Sequence, residues 1–411
     1  MVVEVKREGV ILESTDNEFE RQAVCNPGCV RVGGKVKMFY RAIRENNYSS
    51  IGYCELDGPL NVVERFDEPV ITGESEYDSH GVEDPRVIFF EDKYYIFYVA
   101  YDGKNALIEY ATSKDLVKFE KKGVISPRIR YSEAKKLFMK SKLYLKDKYF
   151  FFETYFRDVN GEDILLWEKD AFIFPKRING KMAFVHRVLP DMQIAYINNL
   201  SELTTDYWRD HLSNISNHLL LGSKYWYESR HIGGGPPPIE TDEGWLTVYH
   251  AVEDSEAGRI YHASAALLDK DNPQKVIGRL KDPLISPQME WEQQGEVNNV
   301  VFPTGAAEFD GRLYLYYGAA DKRIAVASVN IDELLDELKN SQHYTHVISE
   351  IGHTAGQVYD AGINQPVKLE DLVKIFGKDE KLVLMALGWL AREDKMDYIK
   401  LGKEMKFKVK K

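Results

Sequence analysis

The feature that most constrains this 411-residue chain is a recurrence. A turn residue pair opens an alternating aromatic run, a short polar turn follows, and a second strand-like run closes the unit. The pattern appears as GKVKMFYRA at 34–42, DKYYIFYVAYDG at 92–103 and DKYFFFETYF at 147–156. It returns as GKMAFVHRV at 180–188, GWLTVYHAV at 244–252 and GRLYLYYGAADKRIAVAS at 311–328. Period-two alternation between Gly, Asp and Asn turns predicts antiparallel hairpins. Their return along the chain predicts small sheets set around a channel, a mainly β propeller of five or six blades. A β-sandwich of similar strand count is the alternative. In a propeller the loops converge on one mouth, so residues distant in sequence can meet there.

After Leu335 helical spacing of Ala, Val, Leu and Ile replaces the alternation. Two helices meet across FGKDE at 376–380, where Gly377 is a C-cap signal and Asp379 a candidate N-cap. The alternating segments MDYIKL and MKFKVKK follow. Helix, turn, helix and strands is the order of a winged helix. The expected division is a β-propeller domain at 1–340 and a small α/β winged-helix-like domain at 345–411. The net charge of −11 argues against a chain-wide nucleic-acid surface. The three cysteines, Cys25, Cys29 and Cys54, lack metal-like spacing and read as reduced thiols. With no apolar signal core and no stretch of transmembrane length, the expected location is the cytoplasm, away from membranes.

Four clusters can carry chemistry. HGVEDPRV at 80–87 sets the carboxylates Glu83 and Asp84 before Pro85 and Arg86. Pro85 is expected to bias Asp84 towards extended backbone. Such a pair suits proton donation to a glycosidic oxygen; a capped turn with a salt bridge to Arg86 is the plainer alternative. RHIGGGPPPIE at 230–240 can approach a ligand closely and then run rigid and extended, or simply line the channel. NNVVFPTG at 298–305 leads to YYGAAD, whose Asp321 can bind sugar hydroxyls or close a hairpin turn with Lys322. Lys169, Arg187, His231 and His250 would form an anion site if the fold gathers them. No metal site is expected.

In combination, GVEDPRV, FPKRINGK with the His186–Arg187 pair, IGGGPPPIETDEGWLTVYH, NNVVFPTG and YYGAAD resemble glycoside hydrolase family 130, the β-mannoside phosphorylases and related β-1,2-mannosidases. The resemblance spans residues 20–335 and implies five blades and an inverting reaction at a mannosyl residue. It makes Asp84 the general acid, its proton passing through the mannose 3-hydroxyl. It makes Arg187 and His250 phosphate ligands. His231 stands where phosphorylases carry Lys, Lys169 where they carry Arg, and Asp170 where Asn is usual. Asp170 would repel phosphate unless paired. Phosphate affinity is then expected to rise as pH falls from about 8 to 6 through charging of His231.

The implied reaction is phosphorolysis of β-mannosyl oligosaccharides to mannose 1-phosphate, with inorganic phosphate as co-substrate and no cofactor. Hydrolysis by water is the alternative, with Asp170 or Glu228 as base. Asn26, in an NPG turn at a blade entry, should share the channel mouth with Asp84 and Asp321, with Arg41 and Tyr101 near them. Glu83 and Arg86 complete the expected sugar-binding set.

The C-terminal motifs IGHTAGQVYDAG and LVLMALGWLAREDK resemble a small winged-helix domain of bacterial and archaeal proteins. Its second helix is apolar along much of its length, which points to packing or dimerisation, and a homo-oligomer is expected. A sugar-sensing propeller coupled to a DNA-binding winged helix is the reading of a different class; few basic residues on that helix count against nucleic acid as a partner.

Overall fold

A computed structural model of the chain describes residues 3–141, 145–256, 258–361, 366–401 and 404–410. The protein is mainly β. It divides into two compact units, Met1–Lys339 and Asn340–Lys411.

The first unit begins with β1 (Val5–Leu12). Then come β2 (Ala23–Val32), β3 (Lys35–Ile43), β4 (Ser49–Asp57) and β5 (Asn61–Arg65), a four-stranded antiparallel sheet in chain order. β6 (Val82–Phe90), β7 (Lys93–Tyr101), β8 (Ala106–Ser113) and β9 (Glu120–Val124) make the next sheet. Two helices, α1 (Tyr131–Phe138) and α2 (Asp147–Asn160), precede a third, formed by β10 (Lys169–Ile173), β11 (Met182–Arg187), β12 (Met192–Ile197) and β13 (Leu219–Leu221), with α3 (Thr205–Ser213) between its last two strands. The fourth runs β14 (His231–Gly234), β16 (Gly244–Ser255), β17 (Gly258–Leu268), β18 (Val276–Arg279), with β15 (Ile239–Thr241) also on β16. After α4 (Glu290–Gln293), the fifth is β19 (Val301–Phe309), β20 (Arg312–Ala319), β21 (Arg323–Asn330) and, from the other end of the chain, β1.

Apolar clusters are shared by sheets consecutive in the chain. Phe39, Tyr53, Ile96 and Tyr98 join the first sheet to the second. Phe97, Ile108, Phe184 and Ala195 join the second to the third. Phe172, Ile194, Tyr249 and Leu268 join the third to the fourth. Val248, Leu267, Leu315 and Val329 join the fourth to the fifth, and Met38, Tyr40, Tyr316 and Val326 return from the fifth to the first. β2 and β6, the first strands of consecutive sheets, pack closely: a Cβ on Gly28 of β2 would lie 2.5 Å from the Pro85 carbonyl oxygen of β6. Only glycine permits that approach.

A buried carboxylate anchors three of the sheets. Glu20 accepts from the Tyr40 hydroxyl at 2.8 Å and pairs with Arg65 at 2.7 Å. Glu228 does the same with Tyr249 and Arg279, and Glu292 with Tyr317 and Arg7. In the third sheet histidines take this part: His186 Nδ1 lies 2.7 Å from Glu168 and its Nε2 lies 2.9 Å from His211.

One strand expectation fails. The run DKYFFFETYF at 147–156 lies in α2, not in a sheet. Its buried residues Tyr149, Phe152, Glu153 and Phe156 follow helical spacing, which the density of aromatics disguised as alternation.

The second unit holds most of α5 (Ile331–Asp360), then β22 (Val367–Lys368), α6 (Leu369–Phe376), α7 (Glu380–Arg392), β23 (Met396–Leu401) and β24 (Glu404–Val409), the strands ordered β22-β24-β23. Gly377 caps α6 in left-handed backbone, and the Asp379 carboxylate accepts from the amides of Lys381 and Leu382 at the start of α7. Val358, Leu372, Leu387, Leu390 and Phe407 form its core. The motif ending at Gly362 and the tail residues Lys403 and Lys411 fall partly outside the described residues.

Candidate active site

Three first strands share one device. The register of β2 with β3 shifts between Cys25 and Gly28, that of β6 with β7 between Glu83 and Arg86, and that of β10 with β11 between Lys169 and Phe172. Each bulge holds a polar residue in left-handed backbone: Asn26 at φ 50°, Asp84 at 52° and Asp170 at 61°. Asp321, just past β20, has φ 51°. Asn and Asp tolerate this region better than other side chains, yet such residues still cost roughly 1–3 kcal/mol and cluster at functional sites. The extended conformation expected for Asp84 is therefore not adopted; the bulge overrides the bias from Pro85.

These side chains meet in a cavity of ≈ 390 Å³. Asn26, Arg41, Asp84, Lys169, Asp170, Arg187, His231, His250 and Asp321 line it. Glu83, Arg86 and Tyr101 do not. Glu83 and Arg86 are buried side chains that hold lining residues in place, and Tyr101 packs edge-on to the lining residue Trp167 at 6.4 Å.

The polar lining forms two groups. In the first, Asn26 Nδ2 donates to Asp84 Oδ1 at 2.8 Å, and Arg41 Nη1 lies 3.7 Å from the same oxygen. Arg41 also pairs with Glu83 at 2.8 Å, and Lys169 Nζ lies 3.0 Å from the other Glu83 oxygen. Lys169 thus reaches towards the Asp84 side, not towards the histidines. Burial raises the Glu83 carboxyl, but Arg41 and Lys169 outweigh it and hold it at about 2. Burial pushes Asp321 up to about 6; Arg41 opposes this, while Asp84 and Glu83 add to it.

In the second group Asp170 sits between two arginines, 2.8 Å from Arg86 Nη2 and 2.9 Å from Arg187 Nη1. Burial raises Asp170, yet Arg187, Arg86 and His250 together hold it below the usual carboxylate range. The repulsion expected of Asp170 is therefore cancelled by pairing. Arg187 Nη1 lies 3.5 Å from His250 Nε2, and the His231 and His250 rings stand 6.1 Å apart. A Cβ on Gly233 would strike His250 and Asp170, which is why the glycine run can bring His231 to this wall. Arg187 Nε and His231 Nδ1 are buried without a hydrogen-bond partner among the described residues. Buried polar atoms are nearly always satisfied, so two on one wall suit a polar ligand.

Two expectations are corrected here. Burial, with the charges of Arg187 and His250, drives His231 well below the ordinary imidazole value. Burial also takes His250 down to about 3, with Asp170 opposing and Arg187 assisting. Both shifts run against the expected gain in phosphate affinity from charging of His231 as pH falls from 8 to 6. Glu228 is also removed as a candidate base. It is buried away from the cavity and accepts from Arg279, the Tyr249 hydroxyl and the amides of Lys224 and Tyr225.

Part of the remaining lining was not legible as a site. Phe152, Tyr155, Phe156 and Val159 come from α2, Trp167 from the segment after it, and Arg259 from the fourth sheet. Helical periodicity in 147–160 was the signal that could have found the first four.

The glycoside hydrolase family 130 model, described as beta-1,4-mannooligosaccharide phosphorylase, matches residues 6–161 and 152–340. A winged helix-turn-helix domain model matches residues 345–408. The chain is 32% identical over 338 residues to a 1,2-beta-oligomannan phosphorylase of Thermoanaerobacter sp. (strain X514), covering 79% of this chain and 96% of that protein. It is 34% identical over 337 residues to a beta-1,2-mannobiose phosphorylase of the same organism, covering 78% and 94%. The solved beta-1,2-mannobiose phosphorylase of Listeria innocua shares the fold, with a TM-score of 0.61 and 23% identity over 82% of this chain and 99% of that one.

Proposed function

The chain belongs to glycoside hydrolase family 130, and from that premise we propose that it cleaves β-mannosides by inverting phosphorolysis, releasing mannose 1-phosphate. The observation that carries this reading is the pairing of Asp84 with a cationic, under-satisfied wall in one cavity. Asp84 gives its proton through the mannose 3-hydroxyl to the leaving oxygen as the glycosidic bond breaks. A phosphate oxygen forms the new bond to the anomeric carbon. Arg187 holds the attacking anion by charge, and His231 and His250 hold it as neutral donors. Asn26 fixes the Asp84 carboxylate, and Arg41 and Asp321 bind the sugar hydroxyls. Glu83 positions Arg41 and Lys169, and Arg86 positions Asp170. Hydrolysis by water is the second reading, and the buried Asp170 at the same wall is the carboxylate that favours it.

The deciding experiment incubates the protein with β-mannobioses with and without phosphate. Phosphate-dependent mannose 1-phosphate supports phosphorolysis; free mannose released at the same rate without phosphate overturns it.

The five sheets of the first unit are the blades of a propeller. The clusters shared between consecutive sheets, and between the last and the first, support a closed ring. Closure by β1 pairing with β21 supports it too, because it ties the N-terminal strand into the last blade. Among the described residues no helix is long and apolar enough to cross a membrane. The three buried, unpaired thiols fit the reducing cytoplasm. In the second unit α7 exposes Leu384, Met385 and Trp389, which supports self-association of copies.

A further inference from the structure

We infer that α2 carries a docking strip for the part of the oligosaccharide beyond the cleaved bond, so that the site takes longer β-mannosides in preference to disaccharides; this rests on the cleavage reading above. Ring contacts run without a break from the polar site to the surface. Lys169 Nζ lies 5.5 Å from the centre of the Trp167 ring. Trp167 and Phe156 are 4.7 Å apart, Phe156 and Tyr155 5.5 Å, and Tyr155 and Phe151 6.2 Å at an interplanar angle of 21°. Exposure rises along the same path: Phe156 is 7% exposed, Tyr155 36% and Phe151 54%.

A lone exposed aromatic needs no explanation. Here Phe151, Tyr155 and Val159 stand at i, i+4 and i+8 on one helix face, and Tyr155 and Val159 also line the cavity. An apolar stripe that continues a polar site out into solvent is poor packing for a helix with no ligand. It suits a chain of pyranose rings, which offer C–H faces to aromatic rings and hydroxyls to water. The strip is held rigid. The Arg230 guanidinium lies over the rings of Phe152 and Tyr155 at 5.6 and 5.9 Å, and Arg230 is itself paired with Asp254 at 3.1 Å. A preformed surface loses little freedom when the oligosaccharide settles on it.

The test compares calorimetric affinities for β-mannotetraose and β-mannobiose, both measured in the Asp84→Asn background so that nothing is cleaved. The tetrasaccharide should bind more tightly than the disaccharide. Tyr155→Ala and Phe151→Ala should each shrink that ratio by about three- to tenfold, and Tyr155→Phe should restore it. Because Phe151 is exposed, its replacement leaves the core intact. Equal affinities for the two sugars, or a ratio untouched by both alanine variants, would overturn the strip. A strip confirmed by binding in a protein that never turns over mannosides would count against the cleavage reading alone.

Discussion

Asn26 Nδ2 donates to Asp84 Oδ1 at 2.8 Å, and both residues hold left-handed backbone at bulges in the first strands of consecutive sheets. The bond sets which way the Asp84 carboxylate faces. Arg41 lies 3.7 Å from the oxygen that Asn26 already occupies. Asp84→Asn should keep the fold and remove at least about a hundredfold of turnover, the usual contribution of a general acid. Mannose 1-phosphate release together with a thermal melt checks both halves, and near-native activity would exclude Asp84 from that role.

Arg187→Ala should impair phosphate use and stability together. Asp170 would keep Arg86 but lose its second cation while fully buried, and breaking a buried pair costs roughly 3–5 kcal/mol. The KM for phosphate should rise steeply while the melting temperature falls. Arg187→Lys should recover more of the stability than of the phosphate affinity, because lysine supplies charge without the fork.

Phosphate affinity, corrected for the ionisation of phosphate itself, should show no histidine-driven rise between pH 8 and 6. Burial takes His250 down to about 3 and drives His231 well below its ordinary value, which disfavours the charged imidazoles across that window. His231→Lys would add a cation and should lower the KM for phosphate. A clear sigmoidal gain centred near pH 6.5 in the wild type would contradict the buried, neutral state.

Asp321 makes the opposite kind of demand on pH. Its folded value, about 6, lies above the ordinary aspartate value. Stability is therefore lost as pH rises from about 4 to 6 and stays lost above that. Asp321→Asn removes the burden, so its melting temperature should exceed that of the wild type more at pH 8 than at pH 4.

Glu228→Gln should destabilise the fourth sheet without changing the balance between phosphorolysis and hydrolysis. The carboxylate pairs with Arg279 at 2.6 Å and caps a turn, and it is not among the residues that line the cavity. Urea unfolding and product analysis separate the two effects.

A chain ending at Lys339 should keep the chemistry. Leu334, Leu335 and Leu338, the residues that α5 contributes to the core of the first unit, all precede that point. Loss of turnover in a well-folded truncation would tie the second unit to catalysis; a changed sedimentation profile with turnover intact would assign it to assembly.

Local periodicity and turn chemistry were enough for most of the hairpins, the change of texture after Leu335 and the Gly377 and Asp379 caps, and the polar residues of the site stood out as motifs and through the family resemblance. Asp84, Arg187, His231, His250, Asn26, Arg41 and Asp321 could all be named before any of them was placed. Only the tertiary structure decided what surrounds each one. Lys169 pairs with Glu83, Asp170 is neutralised by two arginines, Glu228 is an anchor, and α2 is a helix whose aromatics complete the wall. The reason is physical. Periodicity is a property of neighbours in the chain, whereas a pairing or a titration depends on charges and burial supplied by strands tens to hundreds of residues away.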